Sequence, residues 1–409
     1  MTRPMNVLLL SPGFPAEMPL FTRGLARVGA RVLGVGDQPL AALDPEARAA
    51  LSDYLQVRDL WDEEALAREV HAWVRGSSVD RVECLWEPGM VAAARLREAL
   101  GVPGFGVEAT LPFRDKERMK QVLDAAGVRT PRHTRARTAA ECRAAAERIG
   151  YPLIVKPIAG AGSADTYPLR EPADLDAALG LLRHVPEVSV EEYVEGEEYT
   201  FDTVCANGEI LFENVAWYRP KPLVARLNAW INPQAVCLRD IDAPEIAIGR
   251  ELGRRVLDAL GFQSGFSHME WFRTPQGEAV FGEIGGRPPG GRLVHVMNYS
   301  CDCDLFTGWA EAVCFGDLGQ DTRKRYNAAV VFKRAEGDGI VRRIEGLEPL
   351  LAQYGEHVAH IDLVRVGEQR RDFRKVIVGD GWIVVRHPNL DATLEMVDHF
   401  GTDLRIYAE

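Results

Sequence analysis

The sequence is poor in cysteine and has no long apolar run near its start. Its seven cysteines are dispersed without a Cys-x-x-Cys pair, and the closest two are Cys301 and Cys303. This spacing is poor for zinc and favours reduced thiols in a cytoplasmic protein. The apolar run Val7–Leu10 is broken at once by Ser11–Gly13. It predicts a buried strand, and neither a signal peptide nor a membrane span.

Basic residues are fewer than acidic residues in this sequence. Lysine and arginine number 48 against 60 aspartates and glutamates, which gives a net charge of −12. This balance argues against broad electrostatic binding to nucleic acid, which requires a basic surface. The basic cluster at 370–375 is interrupted by Asp372 and is typical of a solvated face. Neither nucleic acid nor a membrane is therefore an expected partner.

The first 110 or so residues alternate strand and helix patterns but lack a dinucleotide fingerprint. Strands are expected at 6–10, 31–35 and 79–86, and helices at 20–28, 63–74 and 90–100. This order predicts a Rossmann-like parallel sheet covered by helices. The first strand is followed by Ser11–Pro15, where G-x-G-x-x-G would be needed to bring a helix N-terminus to a pyrophosphate. The sheet is therefore predicted without a nucleotide of its own.

The pattern of expected helices and strands changes at about residue 110. Helices are expected at 115–126 and after the capping box Thr138-x-x-Glu141, and the strand 152–157 then leads into a glycine-rich turn. The remainder is rich in strand patterns. A chain of this length exceeds one ordinary core. We expect three domains: 1–110, the Rossmann-like sheet; 111–190, a small lid; and 191–409, a larger C-terminal domain with a mixed sheet.

Two glutamates form the most informative pattern. Residues 266–273 and 278–284 predict strands joined by the turn 274–277. A four-residue turn would put Glu270 opposite Phe281 and His268 opposite Glu283, with all four on one face. Glu270 and Glu283 would then be diagonal neighbours about 7–8 Å apart. Both carboxylates could reach one magnesium ion, although two solvent-facing glutamates are the alternative.

A glycine-rich run from Gly285 to Arg292 follows the second glutamate. Its glycines let the backbone approach a ligand closely. Arg287 can hold an anionic substrate or an acyl phosphate with its planar fork, or it can be an ordinary loop arginine facing solvent. Arg292 and His268 are further candidate contacts to substrate, and for His268 a purely structural role is equally consistent with the sequence.

Two other stretches fit phosphate and adenine. Lys156 ends an apolar strand before Gly160, Gly162 and Ser163, whose backbone and hydroxyl groups can contact phosphate oxygens; no P-loop motif occurs. The acidic run 190–198 offers backbone groups to an adenine and a nearby acid to a ribose. The alternatives are a structural lysine and a solvated charge run.

In this order the residues resemble the ATP-grasp superfamily over roughly 110–300. The resemblance implies a metal site at Glu270 and Glu283, with Arg287 contacting the transferred phosphate or the substrate. It also implies ATP contacts: Lys116 as the first lysine; Lys156 with Gly160, Gly162 and Ser163 as the second lysine and its phosphate loop; Glu191, Glu192, Tyr193 and Val194 as the adenine linker; and Glu198 at the ribose. Many members carry Asn where Gly285 stands here, and glycine offers no side-chain ligand to the metal at that position.

The resemblance further implies the ATP-grasp fold, with ATP and Mg²⁺ (or Mn²⁺) as cofactors. Its chemistry activates a small carboxylate as an acyl phosphate, which an amine then attacks. The run from Glu283 to Arg292 looks most like that of carboxylate–amine ligases of the L-amino-acid ligase type. Biotin carboxylase and purine-pathway ligases are the alternatives within the superfamily. An ATP-binding module without catalysis and a nicotinamide enzyme are the alternatives outside ligase chemistry. A homodimer is expected because it is common in such families.

Overall fold

The computed structural model describes residues 3–159, 165–376 and 378–409. Within these ranges the α-helices are α1 Met18–Arg27, α2 Pro45–Ala50, α3 Glu63–Trp73, α4 Met90–Leu100, α5 Val107–Thr110, α6 Lys116–Ala125, α7 Ala139–Ile149, α8 Pro172–Leu181, α9 Pro222–Leu227, α10 Pro244–Leu260, α11 Leu293–Cys301, α12 Leu305–Phe315, α13 Leu347–Tyr354 and α14 Leu390–Thr402.

The strands of the same ranges are β1 Asn6–Leu10, β2 Arg31–Gly36, β3 Asp53–Gln56, β4 Arg81–Glu83, β5 His133–Ala136, β6 Leu153–Pro157, β7 Tyr167–Leu169, β8 Val188–Glu192, β9 Glu197–Ala206, β10 Glu209–Asn214, β11 Ala216–Arg219, β12 Gln234–Cys237, β13 Gly265–Arg273, β14 Ala279–Gly285, β15 Asn327–Lys333, β16 Glu336–Gly337, β17 Val341–Glu345, β18 Val358–Leu363, β19 Gly381–His387 and β20 Arg405–Ala408.

The N-terminal sheet is parallel, with strand order β3-β2-β1-β4. Side chains of β1 alternate between two faces, so Val7 and Leu9 pack in the same core as α1, whereas Leu8 and Leu10 pack in the core that includes α3 and α4. The predicted Rossmann-like sheet is confirmed. Its third predicted strand is shorter than expected, because the chain leaves the sheet after Glu83 and enters a 3₁₀ turn at Glu87–Gly89.

A small antiparallel sheet follows, with strand order β5-β8-β6-β7. Helix α7 begins at the predicted cap, where the Thr138 hydroxyl accepts a hydrogen bond from the Glu141 amide. Its apolar face, with Cys142 and Ile149, packs in one core with strands β6 and β8. This unit presents Lys156 and Glu191 from adjacent strands.

The third region is built on a nine-stranded sheet. Its strand order is β14-β13-β9-β11-β12-β15-β19-β18, with β10 added beside β9. Both faces are covered: α11 and α12 share one core with the sheet, and α10 and α14 share the other. Close approach of α10 requires glycine, because a Cβ on Gly249 would lie 2.0 Å from the Trp271 ring and one on Gly253 would lie 2.1 Å from the Phe201 ring.

The predicted register of the β13–β14 hairpin is wrong. Glu270 pairs directly with Glu283, and a bulge then shifts the ladder so that Trp271 pairs with Phe281. The extra residue of the bulge is Gly282, whose Cβ position would meet the Glu270 carbonyl at 2.8 Å. Phe281 therefore lies in the core with Trp271, on the face opposite the glutamates. The bulge brings the two carboxylates closer than the diagonal relation in the prediction.

No helix within the described ranges is both long and apolar enough to cross a membrane.

Candidate active site

Three lysines and two glutamates meet where the small sheet faces the β13–β14 hairpin. Lys116, the first residue of α6, places its Nζ 2.9 Å from Oε1 of Glu283. Lys156 of β6 lies 3.0 Å from Oε2 of Glu191 and 4.0 Å from Oε2 of Glu283. Lys120, one turn after Lys116, lies 2.6 Å from the other oxygen of Glu191. We call Lys116, Lys120, Lys156, Glu191 and Glu283 the lysine–glutamate cluster.

The cluster is buried, and its charges determine one another's protonation. Lys120 is fully buried and Glu191 is 3% exposed. Burial alone would raise the pKa of Glu191, but Lys120 and Lys156 outweigh it and hold that pKa well below its usual range. Burial also favours a raised pKa for Glu283, and here Lys116 and Lys156 lower it. Both glutamates are therefore carboxylates at neutral pH.

A second group of acids lies beside the cluster on β9 and β13. Glu198 is 7% exposed, and burial together with the nearby charge of Glu270 raises its pKa well above the usual value. His268 donates a 2.6 Å hydrogen bond from Nδ1 to Oδ1 of Asp202, and its Nε2 lies 3.6 Å from Oε1 of Glu270. Burial favours neutral His268, but Asp202 and Glu270 raise its pKa to about 9. His268 thus lies between Asp202, which holds its ring in place, and Glu270, one of the two predicted metal carboxylates.

The donor set fits a magnesium ion. Glu270 and Glu283 face each other across one pair of strands, and Glu198 adds a third acid whose pKa the negative charge of Glu270 raises. Within the described ranges, no group of three or more His, Cys, Asp or Glu side chains is arranged to hold a metal. Magnesium usually takes one or two carboxylates together with phosphate oxygens and water, so a carboxylate pair suffices for it. Lys116 is ion-paired with Glu283, so it would have to move from Glu283 to another partner when that carboxylate binds the metal.

The predicted adenine linker, Glu191 to Val194, runs from the end of β8 into a loop. Its members do not share one role, because Glu191 belongs to the lysine–glutamate cluster while Glu192 pairs with Arg129 at 3.1 Å. The amides of Glu192 and Tyr193 donate to the carbonyls of Arg132 and Pro152, at 2.8 and 3.1 Å. An adenine bound to this linker would therefore need a different backbone N–H as hydrogen-bond donor. The amide of Val194, the next residue, is the candidate.

Arg287 is held by the N-terminal region. Its Nε donates a 2.8 Å hydrogen bond to Oε2 of Glu87, and the other oxygen of Glu87 accepts from Arg114. Glu87 is only 7% exposed and stands just after β4, where the first sheet ends. A buried carboxylate thus fixes Nε of Arg287, and Nη1 donates a 2.9 Å hydrogen bond to the Pro288 carbonyl, so the orientation of the guanidinium is set from two sides.

Arg292 does not join Arg287, although both belong to one glycine-rich run. Arg292 precedes α11 with φ of +60°, a left-handed conformation that is unusual for a residue with a side chain. Its guanidinium lies 5.7 Å from the centre of the Trp382 ring. It lines a separate cavity of about 430 Å³ between α1, α2, α11 and the β18–β19 pair. We call this the Arg292 cavity.

Gly160, Gly162 and Ser163, the predicted phosphate loop, lie outside the described residues. Other functional side chains were not predicted: Lys120, Glu87 and Asp202. Two of them carried a signal, since Lys120 adjoins the apolar stripe of α6 and Asp202 interrupts an apolar strand. A charged residue in a buried position is expected to have a partner. The role of Glu87 depended on a contact 200 residues away along the chain.

Comparison with known proteins agrees with this architecture. The family model of an ATP-grasp N-terminal domain matches residues 26–104, and that of an ATP-grasp domain matches 113–216. An L-amino acid ligase from Bacillus licheniformis has the same fold, with a TM-score of 0.80 at 19% identity over 100% of both chains. The chain thus resembles the ATP-grasp family over these two stretches, and enzymes of that family use ATP and Mg²⁺.

Named relatives are ligases. The chain is 29% identical over 234 residues to an L-arginine-specific L-amino acid ligase from Bacillus subtilis, covering 56% of each protein. It is 36% identical over 119 residues to a D-alanine–D-alanine ligase from Stutzerimonas stutzeri, covering 28% of this chain and 37% of the relative. The alignments thus span about half, or less, of the length of these relatives. A biotin carboxylase domain from Hydrogenobacter thermophilus, solved with MgADP, ADP and bicarbonate, shares the fold at a TM-score of 0.69 and 14% identity, over 99% and 92% of the chains.

Proposed function

We propose that this protein is an ADP-forming carboxylate–amine ligase that joins an amino acid to an amine through an acyl phosphate. The observation that carries the proposal is the direct pairing of Glu270 and Glu283 beside Lys116 and Lys156. Paired carboxylates suit Mg²⁺, and adjacent lysines suit the phosphates of ATP. The named relatives support ligase chemistry on amino acids.

Each residue of the site receives a role in this proposal. Lys116 and Lys156 would exchange Glu283 for phosphate oxygens, while Lys120 keeps Glu191 in place. Glu270 and Glu283 would hold Mg²⁺, which supplies neutralisation of charge on the transferred phosphoryl group. Glu191, Glu192, Tyr193 and Val194 would border the adenine, and Glu198 the ribose. Arg287, oriented by Glu87, would hold the carboxylate that is activated.

The reaction balances without a covalent enzyme intermediate. A carboxylate oxygen of the first substrate attacks the γ-phosphorus of ATP, the bond to the bridging oxygen breaks, and ADP leaves. The neutral amine of the second substrate then attacks the acyl carbon. The carbon–oxygen bond to phosphate breaks, inorganic phosphate leaves with the electron pair, and the amine proton passes to solvent or phosphate. Water must be excluded meanwhile, because it would hydrolyse the acyl phosphate.

The small sheet would provide this exclusion as a lid; its strand β8 crosses the proposed boundary between the domains 111–190 and 191–409. The sheet carries Lys156 and Glu191, and Lys156 faces the hairpin of the proposed domain 191–409. Closing the lid onto the nucleotide would therefore align the lysines and the carboxylates in one step. The proposed partners are a small carboxylate and a small amine; assembly as a homodimer stays a prediction.

The test is release of ADP by the purified protein, screened over a grid of amino acids and small carboxylates, with mass analysis of the products. The proposal expects ADP only when both a carboxylate and an amine are present, and a product mass equal to their sum minus water. ATP binding without ADP release across the whole grid would favour a non-catalytic ATP-binding module. ADP release that depends on bicarbonate alone would favour the biotin carboxylase alternative.

A further inference from the structure

The Arg292 cavity is not explained by ATP or magnesium chemistry. Its volume of about 430 Å³ lies within the range usual for small-molecule sites. Helices α1 and α2 of the N-terminal region form one wall, and α11 with the β18–β19 pair forms the other. It is connected to the proposed ATP site by the chain itself, since Arg292 ends the run that begins after Glu283. A ligand here would lie beside the segment that carries Arg287.

The lining of the cavity includes one cation, Arg292. Within the described ranges the guanidinium of Arg292 has no hydrogen bond or ion pair, and its charge faces the Trp382 ring at 5.7 Å. The left-handed backbone of Arg292 is a conformation that non-glycine residues adopt at an energetic cost, often at functional sites. A planar, unpaired guanidinium is suited to bind a carboxylate through two hydrogen bonds.

The rest of the lining has an excess of negative charge. Asp44, Glu46 and Asp362 border the cavity, and among the residues that the structure describes only Glu46 of these three forms an ion pair, with Arg23. Asp362 accepts a hydrogen bond from the Trp382 indole at 3.2 Å with one oxygen, and Asp44 caps α2 with one oxygen. Each therefore has a second oxygen for a ligand.

The two histidines of the lining do not offset these acids. Burial, with Arg292 nearby, lowers the pKa of His295 to about 4. Burial also lowers the pKa of His360, against the opposing influence of Asp362. Both imidazoles are neutral at pH 7, and His360 stacks on Trp382 with ring centroids 4.0 Å apart. They supply flat, uncharged walls. The excess negative charge of the aspartates is therefore left for a cationic group of a ligand to neutralise.

From this arrangement we infer that the Arg292 cavity binds an amino acid with a cationic side chain, its carboxylate on Arg292 and its cationic end towards Asp44 and Asp362. The inference rests on the proposed function, because it makes this amino acid one of the two ligase substrates. It adds a location and a charge preference to that function. The binding itself requires no turnover and is measured separately.

The experiment is calorimetric titration of the full-length protein with three probes of nearly equal size. L-arginine has both charged ends, L-citrulline lacks the cationic end, and agmatine lacks the carboxylate. We expect L-arginine to bind about 10-fold or more tightly than either of the others, because each lost charged contact costs about that factor. Equal affinity for L-arginine and L-citrulline, or no detectable binding of L-arginine, would overturn the inference.

Variants assign the binding to this cavity. Asp362→Asn and Asp44→Asn should each reduce the preference for L-arginine over L-citrulline, and Arg292→Gln should abolish the preference over agmatine. Glu147→Gln, an exposed acid on α7, is the matched control and should leave all three affinities unchanged. If the cavity variants keep wild-type preferences, the site lies elsewhere and the inference fails. If ADP is released without any preference for cationic amino acids, the proposed ligase function is supported and this inference is wrong.

Discussion

The lysine–glutamate cluster and the Arg292 cavity adjoin the same glycine-rich run, yet their charges are arranged in opposite ways. In the cluster every carboxylate has a lysine within 4.0 Å, and the central pair, Lys120 and Glu191, is almost fully buried. In the cavity an arginine and two aspartates are left without ionic partners in the described part of the chain, and they are reached by solvent.

The difference separates two uses of charge. A closed, buried network holds its groups in one geometry before any ligand arrives, which suits the repeated binding of the same polyphosphate. Unpaired charges on an open cavity leave the compensating charge to the ligand, so they select between ligands. We therefore expect substitutions in the cluster to affect stability and catalysis, and substitutions in the cavity to affect substrate choice.

The largest expected effect is on stability. Glu191→Gln leaves Lys120 buried beside Lys156 without a carboxylate, and removing one partner of a buried pair costs about 3–5 kcal/mol. The cavity variant Asp362→Asn, at an exposed position, should change stability by no more than about 0.5 kcal/mol. Urea unfolding of both variants measures the contrast. Similar small changes in the two would break the distinction between a closed and an open region.

The next effect is on catalysis. Glu270→Gln and Glu283→Gln should each lower ADP formation roughly 100–1000-fold, as expected when a group that stabilises transferred charge is lost. Circular dichroism and unfolding midpoints should show that both variants remain folded. The control variant Glu147→Gln, at an exposed position on α7, should retain full activity. Full ADP formation by Glu270→Gln and Glu283→Gln would remove the metal assignment.

A smaller effect concerns Glu17, which lies behind the cavity wall. Its Oε1 is buried without a hydrogen-bond partner among the described residues, and His295 is 3.8 Å away. Burial raises the pKa of Glu17 to about 7, although Arg292 opposes the shift. Between its ordinary pKa and 7 the folded state binds more protons than the unfolded state, so stability falls as pH rises.

Glu17→Gln removes this penalty. The variant should be about 1–3 kcal/mol more stable than the wild type at about pH 8, with the gain shrinking towards about pH 5. Unfolding in urea at both pH values measures it. A gain that does not depend on pH would show that Glu17 is not the titrating group, and a loss at pH 8 would show that its charge is compensated.

The smallest expected effect is at Gly285. Its ideal Cβ would lie 3.2 Å from the flexible Arg287 side chain, so a larger residue requires only a modest shift. Gly285→Asn would offer an amide oxygen near Glu283, and we expect it to lower the Mg²⁺ concentration for half-maximal activity by about 5-fold. An unchanged magnesium dependence would indicate that water already completes the coordination equally well.

Much of the fold could be predicted from local pattern. The buried run at 6–10, the capping box at Thr138 and the turn at 274–277 each specify their element by short-range chemistry, and all three elements are present. The register of the hairpin could not be predicted. Next to the turn Arg273 pairs with Ala279, one residue later than a four-residue turn would give, and a bulge at Gly282 adds a second residue to β14. Alternation with period two carries no signal for either shift.

The sequence predicted which residues make up most of the candidate site, but it did not predict which of them contact one another. Lys116, Lys156, Glu191 and Glu283 could be selected from sequence order, and they do meet. Which lysine pairs with which glutamate depends on packing between the small sheet and the hairpin, and Lys120 enters only through that packing. The separation of Arg292 from Arg287 likewise follows from the left-handed backbone of Arg292 just before α11. The sequence Gly-Gly-Arg does not predict that conformation at the arginine.

The most direct test of the account is a crystal structure of the protein with magnesium and a non-hydrolysable ATP analogue. The account predicts a magnesium ion at about 2.0–2.1 Å from an oxygen of both Glu270 and Glu283, with Lys116 and Lys156 on phosphate oxygens. A magnesium ion beyond ligation distance from both glutamates, with Lys116 still paired to Glu283, would contradict it.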